Sequence, residues 1–153
     1  MTPPPFQRLL DAHAGDVLRF LVGAVGRQDA DDAFQETLLS ALRAYPALRH
    51  SDNLRAWLFT IAHRKATDVH RARARRPVPV GAVEDQPAPE VEPDGGDWEL
   101  VRGLPERQRA VLTLRYAADL PHRDIAAVLG CSEEASRRAA ADGLKALRKE
   151  LVE

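Results

Sequence analysis

Only one cysteine, Cys131, occurs in the 153 residues, so neither an internal disulfide nor a cysteine-rich zinc site can form. That usage fits a reducing compartment. Aromatic residues make up 5% of the chain and methionine appears once. Alanine and leucine are left to carry the core, and both favour helices. No run of about 18 apolar residues is present, so no membrane-spanning helix is expected. The start, MTPPPF, lacks the charged-then-apolar layout of a signal peptide, and a cytoplasmic location follows as the expectation. The five histidines (His13, His50, His63, His70 and His122) are scattered, and none forms an H-x-x-x-H pair. Glu133 and Glu134 have no partner arrangement suited to acid–base work, and no glycine-rich phosphate loop exists. Cys131 has no base beside it in sequence. The chain is therefore expected to be no enzyme, with no catalytic residue, metal or cofactor.

What is present is charge in one place. Between Arg49 and Arg76 stand eight Lys or Arg against two acids, Asp52 and Asp68, in a chain of net charge −1. Such a concentration points to a polyanionic partner. Within NLRAWLFTIAHRKATDVHRARARR (Asn53–Arg76), Leu54, Trp57, Leu58, Ile61, Ala62 and Val69 follow the spacing of a helix with one buried stripe. At 100° per residue, Thr60, His63, Thr67 and His70 fall on the other side, flanked by Arg64 and Arg71. That face is either a solvated polar surface or a set of donors for phosphates and base edges. Trp57 lies on the apolar stripe, which favours a core role over a base-stacking platform.

The rest of the chain reads as helices. Phe6–Val25 buries Phe6, Leu9, Leu10, His13, Val17, Leu21 and Val25, with His13 as a core histidine. Asp29 is placed to cap a helix over about Ala30–Tyr45, which buries Phe34, Leu38, Ala41, Leu42 and Tyr45. Its other face carries Asp32, Gln35 and Glu36, either solvated or shaped to dock on a basic surface. Pro46 ends it. The loop Ala47–Asn53 is dense in hydrogen-bonding groups. Ser51 or Asp52 would cap the next helix, or the loop would hold an unstacked base.

Pro77–Glu99 holds five of the eleven prolines, three glycines and seven acids, with no Lys or Arg. Such a stretch has little apolar surface to offset chain entropy, so a flexible acidic linker is expected. The fold class that follows is all-α. Residues 1–76 and 100–153 form two small helical domains, and 77–99 is the linker. In the second domain, Pro105 opens a helix that runs to about Ala117. A short helix, His122–Leu129, stops at Gly130, and Ser132 caps a final helix over about Glu133–Leu151. Two helices joined by a glycine-containing turn, the second bearing Arg137, Arg138, Lys145, Arg148 and Lys149, read as a helix-turn-helix.

Three stretches in this order, DADDAFQETLLSAL (Asp29–Leu42), Asn53–Arg76 and LPERQRAVLTLRYAADLPHRDIAAVLGCS (Leu104–Ser132), resemble the bacterial RNA polymerase sigma factors of the small two-domain extracytoplasmic-function (ECF) group. The resemblance covers nearly the whole chain. It implies that the first domain binds core RNA polymerase (its β and β′ subunits) through Asp32, Gln35 and Glu36. It implies that Arg49, His50, Ser51, Asn53, His63, Arg64, Thr67, His70 and Arg71 contact the −10 side of promoter DNA. The second domain would sit on the polymerase flap and read the −35 side through Ser132, Arg137, Arg138 and Lys145. The acidic linker would thread toward the RNA path, and an anti-sigma protein is a further partner of this class.

The sequence departs from the family pattern in two places. Where the final helix usually carries a Thr–Val pair, then a basic residue, Ser and Arg, this chain has Ala135, Ser136, Arg137, Arg138 and Ala139, with Asp142 three beyond. Ser136 and Ala140 replace larger apolar residues, and Gly143 costs the helix about 1 kcal/mol relative to Ala. Recognition of the −35 side is then either altered, with Arg137 and Arg138 in contact, or weak, with the −10 side dominant. Arg64 also stands where Asn is usual. The competing expectation is a helix-turn-helix regulator independent of core polymerase, which accounts for the last fifty or so residues alone.

Overall fold

The computed structural model describes residues 4–48, 52–75 and 98–152. Among them the secondary structure is entirely helical. Residues 76–97, which hold most of the stretch 77–99 read as a linker, lie outside the described residues, as do Arg49, His50 and Ser51.

Helix α1 (Phe6–Val25) opens after Pro5 and ends at Gly26, whose φ of 87° breaks the helical run. It buries Leu9, Val17, Leu21 and Val25 as its spacing predicts, and also Phe20 and Ala24. Helix α2 (Arg27–Ala44) follows at once, with no capping side chain. Asp29 therefore sits inside the first turn rather than ahead of it, where it meets the positive end of the helix dipole and pairs with Arg73. The buried stripe of α2 is Ala30, Ala33, Thr37 and Ala41. Leu42, expected inside, is 52% exposed, because the small residues bring α2 close and leave no depth for it. The Thr37 hydroxyl is satisfied by donating to the Ala33 carbonyl at 2.7 Å. A 3-10 turn, Tyr45–Ala47, ends the run at Pro46, and the Tyr45 hydroxyl donates to the Pro4 carbonyl.

Helix α3 (Leu54–Arg75) runs through the centre, packed against α1, α2 and α6. Phe59 and Phe20 are fully buried and meet edge to face with centroids 5.7 Å apart. Truncating either to Ala would cost about 3–5 kcal/mol. Trp57 is partly buried beside Tyr45, at 5.9 Å, which agrees with a core role.

The described residues resume at Trp98, inside the stretch read as linker. Helix α4 (Trp98–Arg102) leads to α5 (Glu106–Leu112), which starts just after Pro105. A π-helical turn, Thr113–Ala117, continues it. Helix α6 (His122–Leu129) stops at Gly130, whose left-handed φ of 69° suits a residue without Cβ. Ser132 caps α7 (Glu133–Val152), its hydroxyl accepting the Ala135 N–H at 3.0 Å. The α6–α7 pair is the helix-turn-helix read from the sequence. Ser136 is fully buried, and its hydroxyl meets His122 Nδ1 at 2.7 Å. A hydrogen bond thus joins the two helices where a larger apolar side chain was expected. Gly143 has a structural reason as well. A Cβ there would lie 2.8 Å from Leu112 Cδ1, so the glycine lets α7 approach α5.

The two units share one interior. Val17, Phe20, Phe59 and Ala62 belong to the same buried cluster as Val111, Leu114, Leu120 and Ile125.

Candidate nucleic-acid interface

The backbone at Asn53 sets how α3 begins. Its φ of 53° is left-handed, a region that Asn tolerates better than most residues. From there its Oδ1 accepts the Ala56 N–H at 3.2 Å, so Asn53, rather than Asp52, holds the first turn; Ser51 lies outside the described residues. Its amide reaches across to Asp124 Oδ1 at 2.8 Å.

Beyond Asn53, α3 presents two different polar stripes. Arg64, Asp68, Arg71 and Arg75 recur at helical spacing and are all exposed. This is the cationic face. Arg73 is occupied elsewhere: its guanidinium bonds Asp29, with Nε 3.0 Å from Oδ2, and donates to the Val25 carbonyl at the end of α1.

His63, Thr67 and His70 form the other stripe, and they are half-buried where Arg64, Arg71 and Arg75 are exposed. They line a crevice with Phe20 of α1 and with Glu106 and Arg109 of α5. Burial is the main cause lowering the pKa of His63, with Arg109 and Arg64 lowering it further and Glu106 opposing. His70 is pushed down to about 4 by burial first, then by Arg109 and Arg73, against a backbone hydrogen bond with Ala24. Both rings are accordingly neutral near pH 7. The hydroxyls of Thr60 and Thr67 donate back into their own helix, to the carbonyls of Ala56 at 2.8 Å and His63 at 3.0 Å. The donor face read from the sequence is thus half-buried, and the exposed positive charge lies on the stripe beside it.

On α2, Asp32, Gln35 and Glu36 are exposed on one face. Leu39 joins them at 51% exposure, with Leu42 one turn further on. The sequence reading left out Leu39 and placed Leu42 inside; the signal available was an apolar residue three positions after Glu36 and another three beyond it.

The helix-turn-helix places Ser132, Arg137, Arg138 and Lys145 on the exposed side of α7. Arg137 pairs with Glu133 at 3.1 Å. Arg138 lines a groove of about 420 Å³ with Arg107, Gln108, Ser132 and Asp142. Lys145 lies two turns beyond Arg138, roughly 10 Å along the helix, so one short ligand would not span both.

An exposed cationic stripe on a central helix and a separate helix-turn-helix define an all-α protein of the nucleic-acid-binding kind. The Sigma-70 region 2 family model matches residues 9–76, and the Sigma-70, region 4 model matches 98–147. The ECF RNA polymerase sigma factor SigD of Mycobacterium tuberculosis is 35% identical over 149 residues, covering 88% of this chain and 69% of that protein. SigG of the same organism is 31% identical over 160 residues. This chain spans 42% of its length. In fold the chain is similar to the sigma factor RpoE crystallised with the anti-sigma factor NepR from Bartonella quintana. That match has a TM-score of 0.76 and 24% identity, and covers 95% of this chain and 96% of that one. CnrH in complex with the cytosolic domain of CnrY matches with a TM-score of 0.75 at 22% identity, covering 95% and 86%. The chain belongs to the ECF RNA polymerase sigma factor family. No helix among the described residues is long and apolar enough to cross a membrane.

Proposed function

We propose that this chain binds core RNA polymerase, recognises promoter DNA and starts transcription. The observation that carries this reading is the order of its parts: an exposed acid/amide face on α2, a cationic stripe on α3 and a helix-turn-helix, under region 2 and region 4 matches in one chain. A regulator independent of polymerase accounts for the last of these only.

The physical roles follow. Asp32, Gln35 and Glu36, with Leu39 and Leu42, supply a polar rim and an apolar centre for docking on the polymerase. Arg64 and Arg71, with Asn53 at the head of α3 and Arg49, His50 and Ser51 before it in the sequence, hold the backbone and bases of the opened −10 strand. Separating strands costs stacking and pairing, and trapping unstacked bases beside a cationic groove offsets part of it. Ser132, Arg137, Arg138 and Lys145 serve the −35 side, with α7 in the major groove. Catalysis stays with the polymerase, so the chain itself is no enzyme and needs no cofactor. It acts in the cytoplasm. An anti-sigma protein fits as a further partner, by likeness to the folds crystallised with such partners.

Run-off transcription with core polymerase on a promoter library tests this. Promoter-specific transcripts that depend on the chain are expected; none from a folded sample refutes the reading.

A further inference from the structure

The first half of α7 is seated on its neighbours by small side chains. From Glu133 to Gly143 the buried positions are Ser136, Ala139, Ala140 and Gly143. The larger apolar residues that pack against the core, Leu144 and Leu147, come two turns or more after Ser136. Interlocking shape is what gives a packed helix a single orientation, and small side chains offer little of it. Packing alone therefore opposes rotation of this half about its own axis only weakly.

One directional contact stands in that place. Ser136 is fully buried, and its hydroxyl meets Nδ1 of His122, at the start of α6, at 2.7 Å. A hydrogen bond weakens steeply as its angle departs from linear, so this one resists the rotation that small side chains permit. Turning away from His122 would also leave a buried hydroxyl without a partner, which is unfavourable in itself. Next to Ser136 in the helix are Arg137 and Arg138, both exposed. Arg137 is steadied further by Glu133 at 3.1 Å. A rotation of about 20° would carry a side chain at a radius of roughly 6 Å through about 2 Å. That exceeds the span of about 0.5 Å over which hydrogen bonds to base edges keep their normal length.

We propose that His122 and Ser136 are a positioning pair, which sets the orientation of α7 in the major groove and with it the base sequence that Arg137 and Arg138 read. Neither residue touches DNA in this role. The role rests on the assignment of α7 to the −35 side made above. Recognition by a helix held in this way is altered in its sequence preference rather than weak.

Selection from a pool of short random duplexes by the full chain, without polymerase, reads that orientation. Enrichment of the preferred sequence over the pool average measures discrimination. Ser136→Ala removes one oxygen and adds no volume, and half-buried His122 can then turn to water. This variant should change the preferred sequence or lower its enrichment at least fivefold. His122→Phe should do the same, whereas His122→Asn, whose amide can take the place of Nδ1, should keep the original preference. A merely structural pair would lower the melting temperature of the variants and leave sequence and enrichment unchanged. That result overturns the proposal, as does an unsubstituted chain that selects no sequence. If His122→Phe fails to fold, Ser136→Ala decides alone. Run-off transcription by the unsubstituted chain with core polymerase separates the two ideas. Its absence alongside an altered selection by Ser136→Ala removes the sigma role and leaves the pair; its presence with no altered selection does the reverse.

Discussion

Asn53 divides its side chain between two partners: Oδ1 accepts the Ala56 N–H at 3.2 Å, and Nδ2 donates to Asp124 Oδ1 at 2.8 Å. One residue thus starts the central helix and ties it to the second unit. Asn53→Ala loses the cap, worth about 1 kcal/mol. It also places a residue that tolerates left-handed backbone poorly at φ 53°, for roughly 1 kcal/mol more. Asn53→Gly keeps the backbone and loses less. The urea midpoints should rank unsubstituted chain above Gly above Ala, and an Ala variant as stable as the Gly variant would contradict the backbone part of the argument.

His70 makes stability depend on acid. Its pKa in the folded chain is about 4, against about 6.5 unfolded. Above about 6.5 neither state is protonated, so the neutral ring has its full stabilising value. As the pH falls below that, the unfolded chain takes up a proton that the folded chain refuses, and stability declines until the pH reaches about 4. The pKa values of His63 and His13 are also lowered, burial first in each, and they act in the same direction. His70→Gln should flatten the urea midpoint between pH 6.5 and 4, and an unchanged slope would remove His70 as a cause.

The arginines of α3 should separate into two behaviours. Arg71 and Arg75 are exposed, whereas Arg73 is bonded to Asp29 and the end of α1. Arg71→Ala with Arg75→Ala should reduce the salt slope of DNA binding by up to about two, since each phosphate contact adds about one. Arg73→Ala should leave more of that slope and lower stability, by up to about 1 kcal/mol for a pair this exposed. Titrations across salt concentration, with a melting curve for each variant, read both effects.

Leu39 and Leu42 should matter to a partner and not to the fold. Each is about half exposed, and surface changes of this kind stay within about 0.5 kcal/mol. Leu39→Ser with Leu42→Ser should melt almost as the unsubstituted chain does and retain severalfold less core polymerase in a pull-down. Full retention would place the docking surface elsewhere.

Helix positions and stops were legible in the sequence because they follow from local rules. Pro46, Gly130 and Ser132 end or cap helices for reasons carried by those residues themselves. The surroundings of α3 were not. An apolar stripe reveals one interface, against α2, but the opposite side packs through Phe59, Ala56 and Ala66, with neutral histidines and self-bonded threonines between. Residues of that kind look solvated when each is judged by its own polarity. Gly143 misled in a similar way. Its helix cost is visible in sequence, while its closeness to Leu112 exists only once α5 and α7 meet.

The small residues Ala30, Ala33, Thr37 and Ala41 have a consequence for how this chain changes over generations. They hold α2 by closeness of backbones, so any bulkier side chain there acts as a wedge, and that row has little freedom to vary. Asp32, Gln35, Leu39 and Leu42 point outward from the same helix and can be exchanged without disturbing what lies beneath. One helix therefore carries a fixed inside and a negotiable outside, and its surface can drift while its fold stands still.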